Sequence, residues 1–425
     1  MIPRKKLDIS GPDLLAGVFR AMWPGNRAAT QRRVEEQFCP GQPCLVSLSE
    51  RSAFDVAVQA YNFPPGSEVL VSSLTVKPFP EILKAHGLVP IPIDLNMNDL
   101  SMRMDVLERA VNERTRAIVC AQLLGSRIPL DEYVAFAKRH NLVIFEDCAQ
   151  AFTGDEFRGH PETDVTMFSF GPIKTCSALW GGITRFKDAA ICEKTRELQE
   201  QQPVQSRWLM FIRALKYSVL KSTTYRIPYT IINYVLRLLK ADHITDKSIR
   251  NFTGKDQFRK FRQRPSYPLL AVLERRLKRF KPKPVERRIA NAELFTRLTP
   301  DLVRPAIDAP YHTFWIYPVL ANDRKALIRY LWSKGFDSTI GPSSFLVASA
   351  EPGYEEFEPL VAKETMSKVV YLPVHDRMTR REIERLARVI NACDYVCRQQ
   401  QQQPHVVKEP STAGELQSIA GGEAS

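Results

Sequence analysis

The 425-residue chain is 44% hydrophobic and 25% charged, which gives apolar content for a large core and length for two or three domains. No apolar stretch approaches the ~18 residues of a spanning helix. The opening MIPRKKLDISGPD lacks the apolar run of a secretory signal, so a cytoplasmic protein is expected. The net charge of +13 comes wholly from residues 203–288, where 22 lysines and arginines stand against 5 acidic residues. Eight scattered cysteines lack the spacing of a zinc site or disulfide framework, and Cys393 with Cys397 supplies only two ligands, so no metal is expected.

In chain order, the first clear element is a helix from about Glu50 to Tyr61, with Ala53, Phe54, Ala57 and Ala60 on one face, following Ser47-Leu48-Ser49. From Glu68 to Phe186 short β-rich runs alternate with amphipathic runs, the pattern of βαβ units around a largely parallel sheet. EVLVSS, VPIPID, AIVCAQ, LVIFED, VTMFSF and GGITRF are the expected strands, and LDEYVAFAKRHN is the best helix between them. After the basic segment comes a second α/β pattern. It begins with YHTFWIYPVL, read as a strand that places Phe314, Trp315 and Tyr317 in the core or an interface. A helix around Arg324 to Lys334, the strand KVVYLPV and the helix TRREIERLARVINACDYV complete it. The expected divisions are a large three-layer α/β domain with an N-terminal helical arm (1–202), a basic amphipathic segment (203–288), a small α/β domain (289–398) and a disordered Gln-rich tail (399–425).

In open α/β sheets ligands bind beyond the carboxyl ends of the strands. Three candidates stand there: Glu146-Asp147-Cys148-Ala149-Gln150 after LVIF, Ser169 at the end of VTMFSF, and Lys174 on the following loop FGPIKTCSALWGG. An Asp after a strand is often a helix cap, and a loop Lys is usually solvated. Presented together from neighbouring strand ends, they fit pyridoxal phosphate, whose aldehyde takes a lysine amine and whose pyridine nitrogen takes a carboxylate.

With these motifs in place, the chain resembles the DegT/DnrJ/StrS family of pyridoxal-phosphate-dependent sugar aminotransferases. FEDCAQAF, FSFGPIK and WGGI, the helix start SERSAFDVAV, and YLPVHDRMTRREIERL carry the likeness. The resemblance implies a fold type I architecture, a three-layer mostly parallel sheet with a smaller C-terminal α/β domain. It also implies that Lys174 is the Schiff-base and proton-shuttling residue and Asp147 the partner of the pyridine nitrogen. Gln150 would hold the ring, while Arg51, Ser52 and Ser169 would bind the phosphate. Arg262, in RQRPS, would reach the phosphate of a partner subunit in a homodimer.

Two departures from the family pattern bear on the site: Glu50 stands where a Gly is usual, and Val76 where an aromatic often stacks on the ring. A carboxylate beside the phosphate repels it unless it points outward. His312 and His375 are read first as packed, hydrogen-bonded residues. The resemblance implies transfer of an amino group from an amino acid such as glutamate to a nucleotide- or carrier-linked keto sugar in amino-sugar or polysaccharide biosynthesis. The alternative is a non-catalytic or regulatory protein on the same fold. No nucleic-acid motif accompanies the basic segment. Residues 207–240, apolar at helical spacing and interrupted by cations that include Arg213, Lys216, Lys221 and Arg226, suit either packing in a dimer or peripheral contact with an anionic membrane at the inner face.

Overall fold

The computed structural model describes residues 1–4, 7–223, 225, 228–231, 234, 256–341 and 345–399. The chain begins with helices α1 (Gly11–Met22) and α2 (Arg27–Phe38), then β1 (Cys44–Ser47) and α3 (Glu50–Tyr61). The βα units that follow run β2 (Glu68–Ser72), β3 (Leu74–Val76), α4 (Pro78–Ala85), β4 (Val89–Ile93), α5 (Met104–Ala110) and β5 (Thr115–Ala121). They continue through β6 (Ser126–Arg127), α6 (Asp131–Arg139), β7 (Val143–Asp147), β8 (Val165–Ser169), β9 (Gly182–Phe186), α7 (Ala189–Glu200) and α8 (Arg207–Thr223). All six expected strands belong to one seven-stranded sheet, ordered β1-β9-β8-β7-β5-β2-β4, in which β9 alone runs against its neighbours.

Alternation along each strand sorts residues to two faces. Val69, Val71, Val119, Phe145 and Met167 pack with Phe54 of α3 and Phe79 of α4. On the opposite face, Leu70, Ile118 and Ile144 pack with Leu107 of α5 and Phe136 of α6. Nearer β1, Val46, Phe168 and Ile183 meet α2, α8 and the helix Tyr267–Lys278. The sheet is thus covered on both sides, which gives the three layers and explains why its central strands read as near-continuous apolar runs.

The small domain gathers the helices Lys283–Leu298, Arg324–Ser333 and Arg380–Asn391 around an antiparallel pair of strands. The last helix opens with a capping box between Thr379 and Glu382, the S/T-x-x-E signature that its sequence carries.

YHTFWIYPVL is not one strand. It splits into β10 (Tyr311–His312), paired with β6, and β11 (Tyr317–Leu320), which pairs with β13 (Val369–Leu372); β12 (Phe345–Val347), between them in sequence, pairs with β3. The break lies at Phe314, whose φ of 49° is left-handed, and the Thr313 N–H turns aside to the Gly125 carbonyl at 2.7 Å. A left-handed residue cannot continue a pleated strand. The divergence aims Trp315 at the loop that carries Lys174, where its indole N–H donates to the Ile173 carbonyl at 3.2 Å.

The described part of the basic segment holds α8, a short helix Gln257–Phe261 and the helix Tyr267–Lys278. Residues 235–255 and the tail from 400 onward lie outside the described residues, as does Arg226.

Candidate active site

The site begins at the N-terminus of α3. Ser49 caps that helix, its hydroxyl accepting from the Ser52 N–H at 3.2 Å. Behind the cap runs β9, and at Gly182 the approach leaves no room for a side chain: a Cβ there would stand 2.6 Å from the Glu50 nitrogen. This close approach fixes the helix start against the strand ends.

Asp147 ends β7, 6% exposed, with one carboxylate oxygen accepting from the Ala149 N–H at 2.8 Å. Its neighbour Glu146 points to the other face, where Gln122 and the His160 N–H donate to it at 2.9 and 2.8 Å. Strand alternation therefore separates the two acids: Glu146 is a structural acceptor and Asp147 faces the site. Ser169 ends β8 next to β7. The loop beyond turns at Gly171, whose carbonyl accepts from the Lys174 N–H at 3.1 Å.

Lys174 enters a cluster with Asp147, Glu50 and Arg51. Burial lowers its pKa from the ordinary lysine range, the carboxylates of Glu50 and Asp147 oppose that shift, and Arg51 reinforces it. The ammonium also lies 4.7 Å from the Trp315 ring centroid, within cation–π range. A desolvated lysine with a depressed pKa holds more of its amine in the nucleophilic, unprotonated form.

The Lys174 loop is held under backbone strain. Cys176 and Leu179 are non-glycine residues at φ 58° and 72°, uncommon angles that gather at functional sites. Its clamps come from distant parts of the chain: Asp8 accepts from the Cys176 N–H at 2.7 Å, Arg276 donates to the Ser177 carbonyl at 3.0 Å, and Arg213 donates to the Leu179 carbonyl at 3.0 Å.

Glu50 does not point outward. It is 7% exposed, with its Oε1 buried and without a hydrogen-bond partner, and its carboxyl faces Asp147 and Lys174. Burial raises its pKa well above the ordinary glutamate range, Asp147 adds to the rise, and Lys174 and Arg51 counter it. The sign of the pH effect follows. Folded Glu50 holds its proton to a higher pH than the unfolded chain, which releases it above ~4.3. Its contribution to stability is therefore present below that pH and lost as pH rises toward the folded-state value. Glu50→Gln has no such loss. In urea unfolding of the cofactor-free protein, the variant's advantage over the native chain should grow above pH ~4.3 by up to about 1.4 kcal/mol per pH unit. A difference independent of pH would place an ionised Glu50 in the fold.

Other expected ligands are engaged elsewhere. The Ser52 hydroxyl donates to the Phe261 carbonyl at 2.7 Å and sits 2.9 Å from Ser49 Oγ. Arg262 makes a bidentate pair with Asp55 of its own chain, both bonds 2.8 Å, one turn along α3 from Ser52. The Gln150 carbonyl oxygen accepts from the Leu124 N–H at 2.8 Å. Arg51 is half-buried, and desolvation lowers its pKa from the ordinary arginine value. Val76 pairs with Phe345 across β3 and β12, at the edge of the core. His312 stacks on Phe314 at 4.3 Å and its Nδ1 accepts from the Phe314 N–H at 2.7 Å. Burial, with Arg304 and Arg288 nearby, pushes its pKa down to about 3, so it is a neutral packed residue. His375 packs likewise against the Pro3 carbonyl.

A strand-end lysine and carboxylate beside a capped helix start, on this sheet order, are also found where the chain is matched by sequence. Residues 26–214 match the DegT/DnrJ/EryC1/StrS aminotransferase family. That segment contains Glu50, Arg51, Ser52, Asp147, Gln150, Ser169 and Lys174; Arg262 lies beyond it. A UDP-4-amino-4-deoxy-L-arabinose–oxoglutarate aminotransferase of Shewanella sediminis (strain HAW-EB3) is 28% identical over 203 residues, 46% of this chain and 51% of the relative. A GDP-perosamine synthase of Escherichia coli O157:H7 is 30% identical over 152 residues, 35% of this chain and 42% of the relative. The matches thus span about half the length of these curated relatives or less. In structure the likeness runs much further: the aminotransferase TlmJ from Streptoalloteichus hindustanus superposes with a TM-score of 0.66 over 92% of this chain and 98% of its own, at 19% identity. The fold is that of the fold type I sugar aminotransferases.

Proposed function

We propose that the chain is a pyridoxal-phosphate-dependent aminotransferase that moves an amino group from an amino acid such as glutamate to a nucleotide- or carrier-linked keto sugar. The observation that carries this reading is the cluster in which the half-buried Lys174, its amine pKa lowered by desolvation, lies within the electrostatic reach of the buried Asp147 carboxylate beyond the strand ends. The names of the two curated relatives support the sugar substrate, and the first of them, naming oxoglutarate, supports glutamate as the donor.

The residues present fit the cofactor. Lys174 offers the amine that would hold it, and Asp147 offers a carboxylate for its pyridine nitrogen. The N-terminus of α3, with Arg51, and Ser169 on the adjoining strand end offer N–H groups, positive charge and a hydroxyl for a phosphate. When bound, pyridoxal phosphate supplies an electron-accepting ring that spreads the negative charge left on a substrate carbon after proton removal. Asp147 would hold a proton at that ring's nitrogen. Lys174 Nζ takes the proton from the donor's α-carbon and returns it elsewhere, and the same atom serves both halves of the exchange. Trp315 sets its ring beside the lysine amine, 4.7 Å from centroid to nitrogen.

The purified protein should be yellow, and adding glutamate should shift its visible absorbance, with recovery when a keto sugar is added. A protein that stays colourless after reconstitution with pyridoxal phosphate would sink this reading. Glu50 favours a second one, an aminotransferase-fold protein without turnover, because it brings a carboxyl into the cluster. That protein would bind the cofactor and yet show no spectral response to any amino donor.

The homodimer with sites at the subunit boundary belongs to the same proposal. Mixed subunits decide whether Arg262 serves a neighbouring site. Lys174→Ala mixed with Arg262→Ala should regain part of the native activity through heterodimers. Heterodimers that form without activity would confine Arg262 to the Asp55 pair seen in its own chain.

A further inference from the structure

The outward face of α1 and α8 is apolar. These helices pack side by side through their small and buried residues: a Cβ on Gly17 would lie 3.3 Å from Ala214, while Leu14, Ala21, Met210 and Tyr217 are buried. The opposite stripe of α1 presents Leu15, Phe19, Met22 and Trp23. That of α8 presents Trp208, Leu209, Ile212, Leu215 and Val219. All nine are between 46% and 61% exposed, on stripes where a solvated helix carries polar side chains. An exposed apolar surface of this extent on adjacent helices marks an interaction site.

Charge selects the occupant. The exposed charged residues of the two helices are Arg20, Arg207 and Lys216, all cationic. Their one carboxylate, Asp13, is buried beneath the face, bound to Arg275 and Arg276, and α8 contains no acidic residue. Arg213 and Lys221, which the sequence pattern counts among the surface cations, turn inward instead, Arg213 over the Trp180 ring at 3.8 Å and Lys221 onto the Ile9 carbonyl. A second copy docked by a twofold axis would set the same cations against one another. An anionic bilayer neutralises them while taking up the aromatic and aliphatic side chains. Trp23 ends the α1 stripe and Trp208 begins that of α8, and tryptophan favours the headgroup level. Among the described residues no helix is long and apolar enough to cross a membrane, so the helices would lie along its surface.

We propose that α1 and α8 together form a peripheral docking face for membranes bearing anionic lipid. The assignment is independent of the proposed chemistry, and its test needs no activity. The full chain is sedimented with phosphatidylglycerol-containing vesicles and with pure phosphatidylcholine vesicles, across a salt series. Binding should be stronger to the anionic vesicles and fall with salt. Arg207→Gln and Lys216→Gln should each weaken it about fivefold. Phe19→Ser and Ile212→Ser, both at exposed positions, should each weaken it about tenfold or more, with the oligomeric state by light scattering unchanged. Absent sedimentation with anionic vesicles at low salt would overturn the proposal, as would equal, salt-independent binding to neutral ones. So would conversion of a dimer to monomers by Phe19→Ser or Ile212→Ser, which would assign the face to a second copy.

Discussion

Lys174→Ala is expected to lower transamination by about 10²–10⁴-fold or more, since one atom is asked both to hold the cofactor and to move the proton in each half-reaction. The lowered pKa is part of that expectation. An amine pressed by burial toward its neutral form is ready to accept a proton, and Glu50 and Asp147 keep it from losing its charged form altogether. The side chain supports no hydrogen-bond ladder of the sheet, so the fold should persist and the loss should fall on kcat. Turnover measured with glutamate and a keto-sugar acceptor, beside circular dichroism of the variant, checks both halves. Activity within tenfold of the native protein would remove Lys174 from the chemistry.

Asp147→Ala carries the second large effect. On the proposed reading, losing the carboxylate at the pyridine nitrogen would leave the ring a poor electron acceptor, and turnover should fall on the order of 10³-fold. Two consequences separate this from simple unfolding. Asp147→Asn, which keeps an acceptor for the Ala149 N–H, should fold normally and still lose most of the activity. Removing the Asp147 charge should also let Glu50 ionise at lower pH, because Asp147 is second only to burial in raising its pKa. Near-native turnover in either variant would mean that another group serves the ring nitrogen.

The sheet was legible because its strands are short apolar runs bounded by turns, and α3 because a serine cap precedes a helical apolar face. The places of Asp147 at a strand end and of Lys174 on the loop beyond the next strand were legible for a related reason, since strand ends can be read from a sequence. What escaped depends on tertiary approach. The inward course of Glu50 follows from Gly182 lying hard against the α3 start, 132 residues further along the chain. Trp315 reaches Lys174 because the strand breaks at Phe314, where the aromatic alternation signals one unbroken strand; the burial of Phe314, Trp315 and Tyr317 is as expected. The clamp of Asp8 and Arg276 on the Lys174 loop joins residues 268 apart in sequence. Amphipathic spacing in α8 marked cations as exposed, yet Arg213 and Lys221 find carbonyl partners beneath the helix.

Borohydride reduction of the cofactor-loaded protein followed by peptide mapping tests the central claim most directly, because it reads the chemistry at one atom and requires no knowledge of the sugar. The account predicts a pyridoxyl group fixed on the peptide containing Lys174 and its absence from the Lys174→Ala protein. A label on another lysine, or none on protein that has bound the cofactor, would contradict it.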